Sequence, residues 1–201
     1  MADLGFACRC GTVKGALRGV SPANGIRYIC HCDDCQAFAW FLEAPGVMDA
    51  HAGTDVFQTA AHRLDITQGR EHLACVQVTK RPLLRWYCDD CKTPLANTYG
   101  AAQWSFLSVI LYGFDPAARD GVLGPPSGHV WTQYAKGDLN GVSQCSIPAM
   151  IWRILSRMAS ARLSGGFRRT PLFDPQTGRP IATPLRLTAS MRKALDERGA
   201  A

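Results

Sequence analysis

Between residues 12 and 114 the apolar positions come in short runs separated by turn-forming residues, a pattern that predicts short strands. The predicted strands are Thr12–Leu17, Ile26–Cys30, Phe38–Leu42, Arg63–Thr67, Leu73–Thr79, Leu83–Tyr87 and Phe106–Phe114. The run at Leu73 alternates most clearly. Ala74, Val76 and Val78 share one face, and Cys75, Gln77 and Thr79 share the other. Gly- and Pro-containing stretches at Gly19–Gly25 and Pro45–Gly53 supply turns between strands. No long helical periodicity precedes residue 146, so this body is predicted to be mainly β.

The pattern changes after Asn140. Ser146 followed by Pro148 is a helix start, with Ser as N-cap and Pro in the first turn. Ile147, Met150, Ile151, Ile154, Leu155 and Met158 then recur at helical spacing, and Gly165-Gly166 ends the run. Phe167–Pro184, rich in Pro, Gly and Arg, is read as irregular, and a short helix over about Ala189–Arg198 closes the chain. Two parts follow: a β body over 1–140, and a helical, basic extension over 141–201. A helix of this length is marginal alone in water, so its apolar stripe needs a surface. The β body, the same surface of a second copy in a homo-oligomer, and a membrane surface are the three options. Packing on protein is the expectation, with Arg153 and Arg157 turned to solvent.

Charge sharpens this division. The 201-residue chain carries a net +6, yet residues 1–149 hold 12 Lys/Arg against 13 Asp/Glu, and residues 150–201 hold 10 against 3. The whole excess belongs to the last quarter. That segment lacks the interleaved aromatics that stack on bases, so it carries no clear nucleic-acid signal. No apolar run approaches the roughly 20 residues of a membrane span, and the opening Met-Ala-Asp-Leu-Gly-Phe lacks the features of a secretory signal. A cytoplasmic location is therefore expected, and in a reducing compartment cysteines serve as metal ligands or packed thiols rather than disulfides.

The nine cysteines change the picture most. Seven fall in three motifs: Cys8-Arg-Cys10, Cys30-His-Cys32-Asp-Asp-Cys35 and Cys88-Asp-Asp-Cys91. In an extended segment residues i and i+2 point the same way, so C-x-C presents two sulfurs to one ion. A C-x-x-C turn does the same, and Zn²⁺ takes four tetrahedral ligands. C-x-C plus C-x-x-C therefore completes a four-thiolate site, whereas the middle motif supplies three sulfurs and leaves one position for water or substrate. Two zinc ions per chain are expected. Thiolates also suit iron–sulfur clusters and Cu(I), and zinc is the default. A redox role for C-x-x-C needs a thioredoxin-like setting that is missing here. Cys75 and Cys145 read as packed thiols, and His51, His62, His72 and His129 as scattered structural or exposed residues.

The order of these motifs resembles the glutathione-dependent formaldehyde-activating enzyme family, which includes the centromere protein V relatives. Its early C-x-C-G stands here as Cys8-Arg-Cys-Gly11, its central C-H-C-x-x-C as Cys30 to Cys35, and its C-x-x-C-x-T-P-L as Cys88 to Leu95. His129-Val130-Trp131 is similar to the His-Ile-Trp segment near the end of that module, so the likeness covers roughly residues 6–135. The resemblance implies a β-tent zinc fold. It implies a structural zinc on Cys8, Cys10, Cys88 and Cys91, and a functional zinc on Cys30, Cys32 and Cys35. It also implies addition of a small thiol such as glutathione to formaldehyde, a carbon–sulfur lyase reaction of the S-(hydroxymethyl)glutathione synthase type. Lys92 stands where the family usually has Gly, and the basic extension is absent from minimal members. His31, Asp33 and Asp34 are near enough in sequence to donate a proton, although His31 equally suits orienting the loop and the aspartates suit solvation. Two other readings stand beside this one: a zinc enzyme for another thiol or electrophile, and a non-catalytic zinc module or thiol carrier with the basic tail as contact surface.

Overall fold

The computed structural model describes residues 1–200, among which lie eleven strands and four α-helices. In chain order they are β1 (Ala2–Ala7), β2 (Lys14–Val20), β3 (Ile26–Cys30), α1 (Asp33–Phe41), β4 (Thr54–Ala60), β5 (Leu64–Gln68), β6 (Leu73–Gln77) and β7 (Leu83–Cys88). Then follow β8 (Pro94–Tyr99), β9 (Phe106–Ile110), α2 (Pro116–Leu123), β10 (His129–Val130), α3 (Ile147–Leu163), β11 (Leu185–Arg186) and α4 (Ala189–Ala200). A small sheet has the order β1-β2-β5, and a large one β10-β3-β4-β9-β8-β7-β6-β11. The large sheet is antiparallel except at its ends, where β10 and β11 pair parallel with β3 and β6.

The large sheet is covered on both faces, and side-chain alternation sorts its residues into two cores. Along β7, Leu84, Trp86 and Cys88 enter the first core while Tyr87 enters the second. Along β4, Phe57 and Val56 divide the same way. The small sheet adds Leu4, Phe6 and Leu17 to the first core; α1 and α3 add Phe38 and Met150 to the second. The predicted alternation at Leu73 is thus a division between two interiors. Strands buried on both faces lose the polar–apolar signature, which is why β4 and β8 escaped the reading of the sequence.

Phe38–Leu42, predicted as a strand, belongs largely to α1. Asp33 and Asp34 in its first turn complement the helix dipole, Ala37 and Ala39 favour helix, and Cys35, Phe38 and Leu42 bury at helical spacing. A second short helix, α2, starts where the Asp115 carboxylate accepts from Ala118 N at 2.8 Å with Pro116 at the first position. Both are too short to give a long periodic signal.

The C-terminal segment is woven into the same structure. α3 runs past the predicted stripe to Leu163 and stops at Gly165, whose φ of 69° only glycine adopts without strain. It packs against β4, burying Met150 and Ala161. Docking on protein is therefore found, but the arginines do not both face solvent. Arg157 turns inward, donating to Gln58 Oε1 at 3.1 Å and Gly25 O at 3.0 Å, and Arg153 reaches Pro22 O at 3.3 Å. Pro22 O and Gly25 O belong to the β2–β3 turn, outside the strand pairing, and Gln58 Oε1 is a side-chain oxygen on β4. Ile151, Trp152 and Leu155 stay exposed. Within the irregular stretch, Leu172 and Phe173 are fully buried in the first core, with Phe173 edge-on to Trp86 at 6.1 Å between centroids. No helix among the described residues is long and apolar enough to cross a membrane.

Phe173→Ala should cost about 3–5 kcal/mol of stability, the usual loss for a buried aromatic, and leave both cysteine clusters able to load metal. Denaturant unfolding with metal analysis checks this; an unchanged midpoint would show that the segment is not part of the core.

Candidate metal centres

Two loops of similar build bring four cysteines together. Cys8 and Cys10 follow β1, while Cys88 ends β7 and Cys91 follows it. Each loop closes with a backbone bond, Cys8 N to Val13 O and Cys88 N to Thr93 O, both at 2.9 Å. Each also carries a left-handed residue. That residue is Gly11 at φ 77° in the first loop and Lys92 at φ 57° in the second. Lys92 therefore adopts the strained conformation itself rather than changing the turn. Its ammonium pairs with Asp89 at 2.7 Å and lies over the Tyr87 ring. The loops are cross-tied, since Arg9 N donates to Thr93 Oγ1 at 3.0 Å and the Arg9 guanidinium to Cys91 O at 3.1 Å.

The four sulfurs lie within 4.8 Å of one another, with Cys8–Cys10 at 3.3 Å and Cys10–Cys88 at 3.9 Å. A tetrahedron of zinc–sulfur bonds near 2.3 Å has edges of about 3.8 Å, so the set fits a closed zinc centre. All nine cysteines are free thiols. Burial pushes the Cys8 and Cys88 thiols up, while Cys91, against the effect of burial, is held down at about 6 by Thr93 and Cys10.

The second centre lies across the sheet. Cys30 ends β3, Cys32 caps α1, and Cys35 lies within its first turn, so a strand-to-helix junction delivers three sulfurs within 4.8 Å of one another. Cys32–Cys35 are 3.2 Å apart and Cys35–Cys30 3.7 Å. Cys30 and Cys35 are buried and Cys32 is partly exposed. The Arg85 guanidinium, itself fully buried, approaches Cys35 Sγ at 3.6 Å. Bonds from Cys30 and Cys32 hold the Cys35 thiol well down against its burial, and Arg85 adds to this. Bonds to the other two sulfurs, with burial, push Cys30 well up. Cys30 lowers the Cys32 thiol, but Cys35 and burial outweigh this and push it up to about 12. The protein alone thus accommodates one thiolate here, and a cation at the centre is what would let the other two ionise. Both cysteine sets fit a metal ion, and both gather the residues the sequence singled out.

The other residues near this centre are committed elsewhere. Asp34 is buried and pairs with Arg192 of α4 at 2.6 Å and with Arg85 at 3.8 Å; Asp33 pairs with the same Arg192 at 3.2 Å. Both aspartates anchor α4, Asp34 from a buried position and Asp33 from an exposed one. His31 is fully buried, with Nδ1 3.0 Å from His51 O and Nε2 2.8 Å from His129 Nδ1. Along the extended Cys30–Cys32 segment, alternation sends the imidazole away from the sulfurs, so it fastens the loop. His129 lies in β10 beside β3, followed by Trp131, whose φ of 58° is unusual for a bulky residue. Cys75 is buried in the first core and Cys145 partly buried by the second, and neither joins a cluster. Arg85 was missed, although an arginine inside the apolar run Leu83–Cys88 was a signal that a negative partner lay nearby. A cavity of about 300 Å³, lined by Asp33, Gln36, Trp40, Tyr134, Leu195 and Asp196, opens between α1 and α4.

Over residues 2–184 the sequence matches a family described as Family of unknown function (DUF6151). No curated protein matches it. A crystal structure of a Rhodobacter sphaeroides protein is similar at 19% identity and a TM-score of 0.40, covering 60% of this chain and 98% of that one.

The purified chain should hold about two zinc ions, and its centres should fail differently. Cys88→Ser should remove one ion and much of the stability, because closed zinc sites are coupled to folding. Cys32→Ser should remove the other with a smaller loss. Elemental analysis with thermal melts checks both, and a wild-type content near one would show that the triplet holds no stable ion.

Proposed function

The chain belongs to the DUF6151 family, and we propose that it is a zinc protein which binds a small thiol at Cys30, Cys32 and Cys35 and adds it to formaldehyde or a similar electrophile. This is carbon–sulfur lyase chemistry of the S-(hydroxymethyl)glutathione synthase type. One observation carries the reading: the two clusters are unequal, four sulfurs on one face and three on the other, and the trio is partly open at Cys32. The order of cysteine motifs, which resembles the glutathione-dependent formaldehyde-activating enzymes, points the same way.

A zinc ion on the trio would keep one position for the sulfur of an incoming thiol and favour its ionised form. The residues around it have separate tasks. Arg85 offsets thiolate charge at Cys35 and fixes that sulfur. His31 and Gln36 hold the loop, Gln36 Nε2 donating to the carbonyls of His31 and Tyr134 at 2.8 Å each. The cavity between α1 and α4, walled by Asp33 and Gln36, which neighbour Cys32 and Cys35 in sequence, offers space for the rest of the thiol, and its carboxylates Asp33 and Asp196 are already held by Arg192. In the addition the thiol proton leaves to solvent, sulfur bonds to the carbonyl carbon, and the oxygen that receives the π pair takes a proton. Asp33 and Asp34 are engaged by Arg192, so solvent at the exposed edge of Cys32 supplies that proton.

Exposed Ile151, Trp152 and Leu155 on α3 favour a second reading, a non-catalytic zinc module that contacts a partner. Formaldehyde loss with glutathione separates the two. The zinc-loaded chain is expected to exceed the buffer rate, and Cys32→Ser to lose that gain while keeping the closed centre. A rate equal to buffer at full zinc occupancy would remove the enzymatic reading.

A further inference from the structure

An arginine-rich cleft of about 450 Å³ lies apart from both cysteine clusters, with no residue in common. Its floor comes from the small sheet, with Arg18 on β2 and Asp65 on β5. Its opposite wall comes from the segment after α3, with Arg168, Arg169 and Thr170, and Arg70 stands at one end. Sequence spacing hid this cluster, because Arg168-Arg169 looks sparse until the fold brings Arg18 and Arg70 beside it.

The charges do not cancel. Arg18 is neutralised twice, by Asp65 at 2.7 Å and Asp3 at 2.9 Å. Arg70 donates Nε to Pro171 O at 2.8 Å, which leaves its outer N–H groups for another acceptor. Bonds from Thr177 N and Oγ1 and from Gln176 N, all to Oδ1, hold the Asp174 carboxyl below its usual range, and the Arg70 charge adds to this, so Asp174 offsets part of the Arg70 charge. Among the described residues Arg168 and Arg169 have no carboxylate partner. Arg168 stacks on Phe167, and the Arg169 charge, after burial and Arg63, helps lower the pKa of His62 on the same wall. Arg168 and Arg169 thus bring two unpaired guanidiniums to the cleft, and Arg70 a third that Asp174 only partly offsets.

A second, independent observation points to a ligand. Thr170 lines this cleft and is only 9% exposed, and its buried Oγ1 has no hydrogen-bond partner in the protein. Buried hydroxyls are nearly always satisfied, so one left open beside uncompensated guanidiniums is a donor awaiting an acceptor. Planar N–H forks and a hydroxyl together suit a compact anion with several oxygens. We propose that this cleft binds a phosphoryl group, carried by a small phosphate compound or by a lipid headgroup, through Arg168, Arg169, Arg70 and the Thr170 hydroxyl.

The test titrates the full zinc-loaded chain with inorganic phosphate at constant ionic strength, using chloride as the balancing ion, and follows the backbone amide signals of Arg169 and Thr170. Saturable shifts are expected. Arg169→Gln and Thr170→Val should each weaken binding roughly tenfold, the usual loss of a hydrogen bond to a charged group. Thr170→Val replaces an unsatisfied hydroxyl with a methyl of similar shape, so its melting temperature should hold or rise while phosphate affinity falls. A purely structural threonine would not give that split. Vesicles containing phosphatidic acid, compared with phosphatidylcholine alone, distinguish the source. Retention on the acidic vesicles that phosphate displaces and Arg169→Gln abolishes identifies a headgroup, and phosphate binding without retention identifies a soluble ligand. Shifts that rise linearly with phosphate, or that both variants retain unchanged, overturn the proposal.

Discussion

Negative charge gathered on closely packed sulfur is the constraint on which the arrangement of this chain depends. Seven thiols sit in two clusters with neighbouring sulfurs as close as 3.2 Å, and such groups cannot ionise together unless cations stand beside them. At the three-cysteine centre the fold supplies one cation, Arg85, and then has to stabilise a guanidinium that is itself out of water. It does so with a line of alternating charge. Cys35 faces Arg85, Arg85 faces Asp34, Asp34 faces Arg192, and Arg192 also binds Asp196 at 2.8 Å. The last links belong to α4, so the end of the chain is fastened by the same electrostatics that hold the centre.

The large sheet converts this chemistry into two separate sites. On β7, Cys88 points into the first core, whereas Arg85 points across to Cys35 and Tyr87 into the second core. One strand thus serves a four-sulfur cluster on one face and a three-sulfur cluster on the other. The closed set is tied by two loops with matching backbone bonds, which suits a structural ion. The trio sits at a strand-to-helix junction with Cys32 partly exposed, which leaves a direction for ligand approach. Covering both faces requires apolar residues beyond those of the β body, and Leu172, Phe173 and Met150 provide them from the C-terminal segment.

The cysteine sets were legible because their ligands are close in sequence within each motif, and C-x-C and C-x-x-C spacing fixes sulfur separation before any tertiary structure is known. The helix at Ile147 was legible from its stripe, Pro148 and the glycine stop. Three things were not. The segment Asp33–Phe41 has too few turns to show periodicity, and its aromatic residues mimic a strand. β4 and β8 are buried on both sides and carry buried polar residues, Gln58, Thr59, Asn97 and Thr98, so they show neither alternation nor an apolar run. The pairing of Arg85 with Cys35 and Asp34, of Arg157 with Gln58, and of His31 with His129 joins residues 50 or more positions apart. Such contacts are set by strand order, which periodicity does not encode. The expectation of solvent-facing arginines on α3 holds for the exposed Arg153 and fails at Arg157, where Gly25 O and Gln58 Oε1 compete with water for the guanidinium.

The central claim is that one centre is closed and the other keeps a position for a thiol. X-ray absorption at the zinc edge of the full-length, zinc-loaded chain tests it most directly. The account predicts an average of about 3.5 sulfur ligands per zinc near 2.3 Å, with the balance made up by a lighter atom, rising toward about 4 when a small thiol is added in excess. A first shell of four sulfurs per zinc before any thiol is added, or one that does not change on its addition, would contradict it.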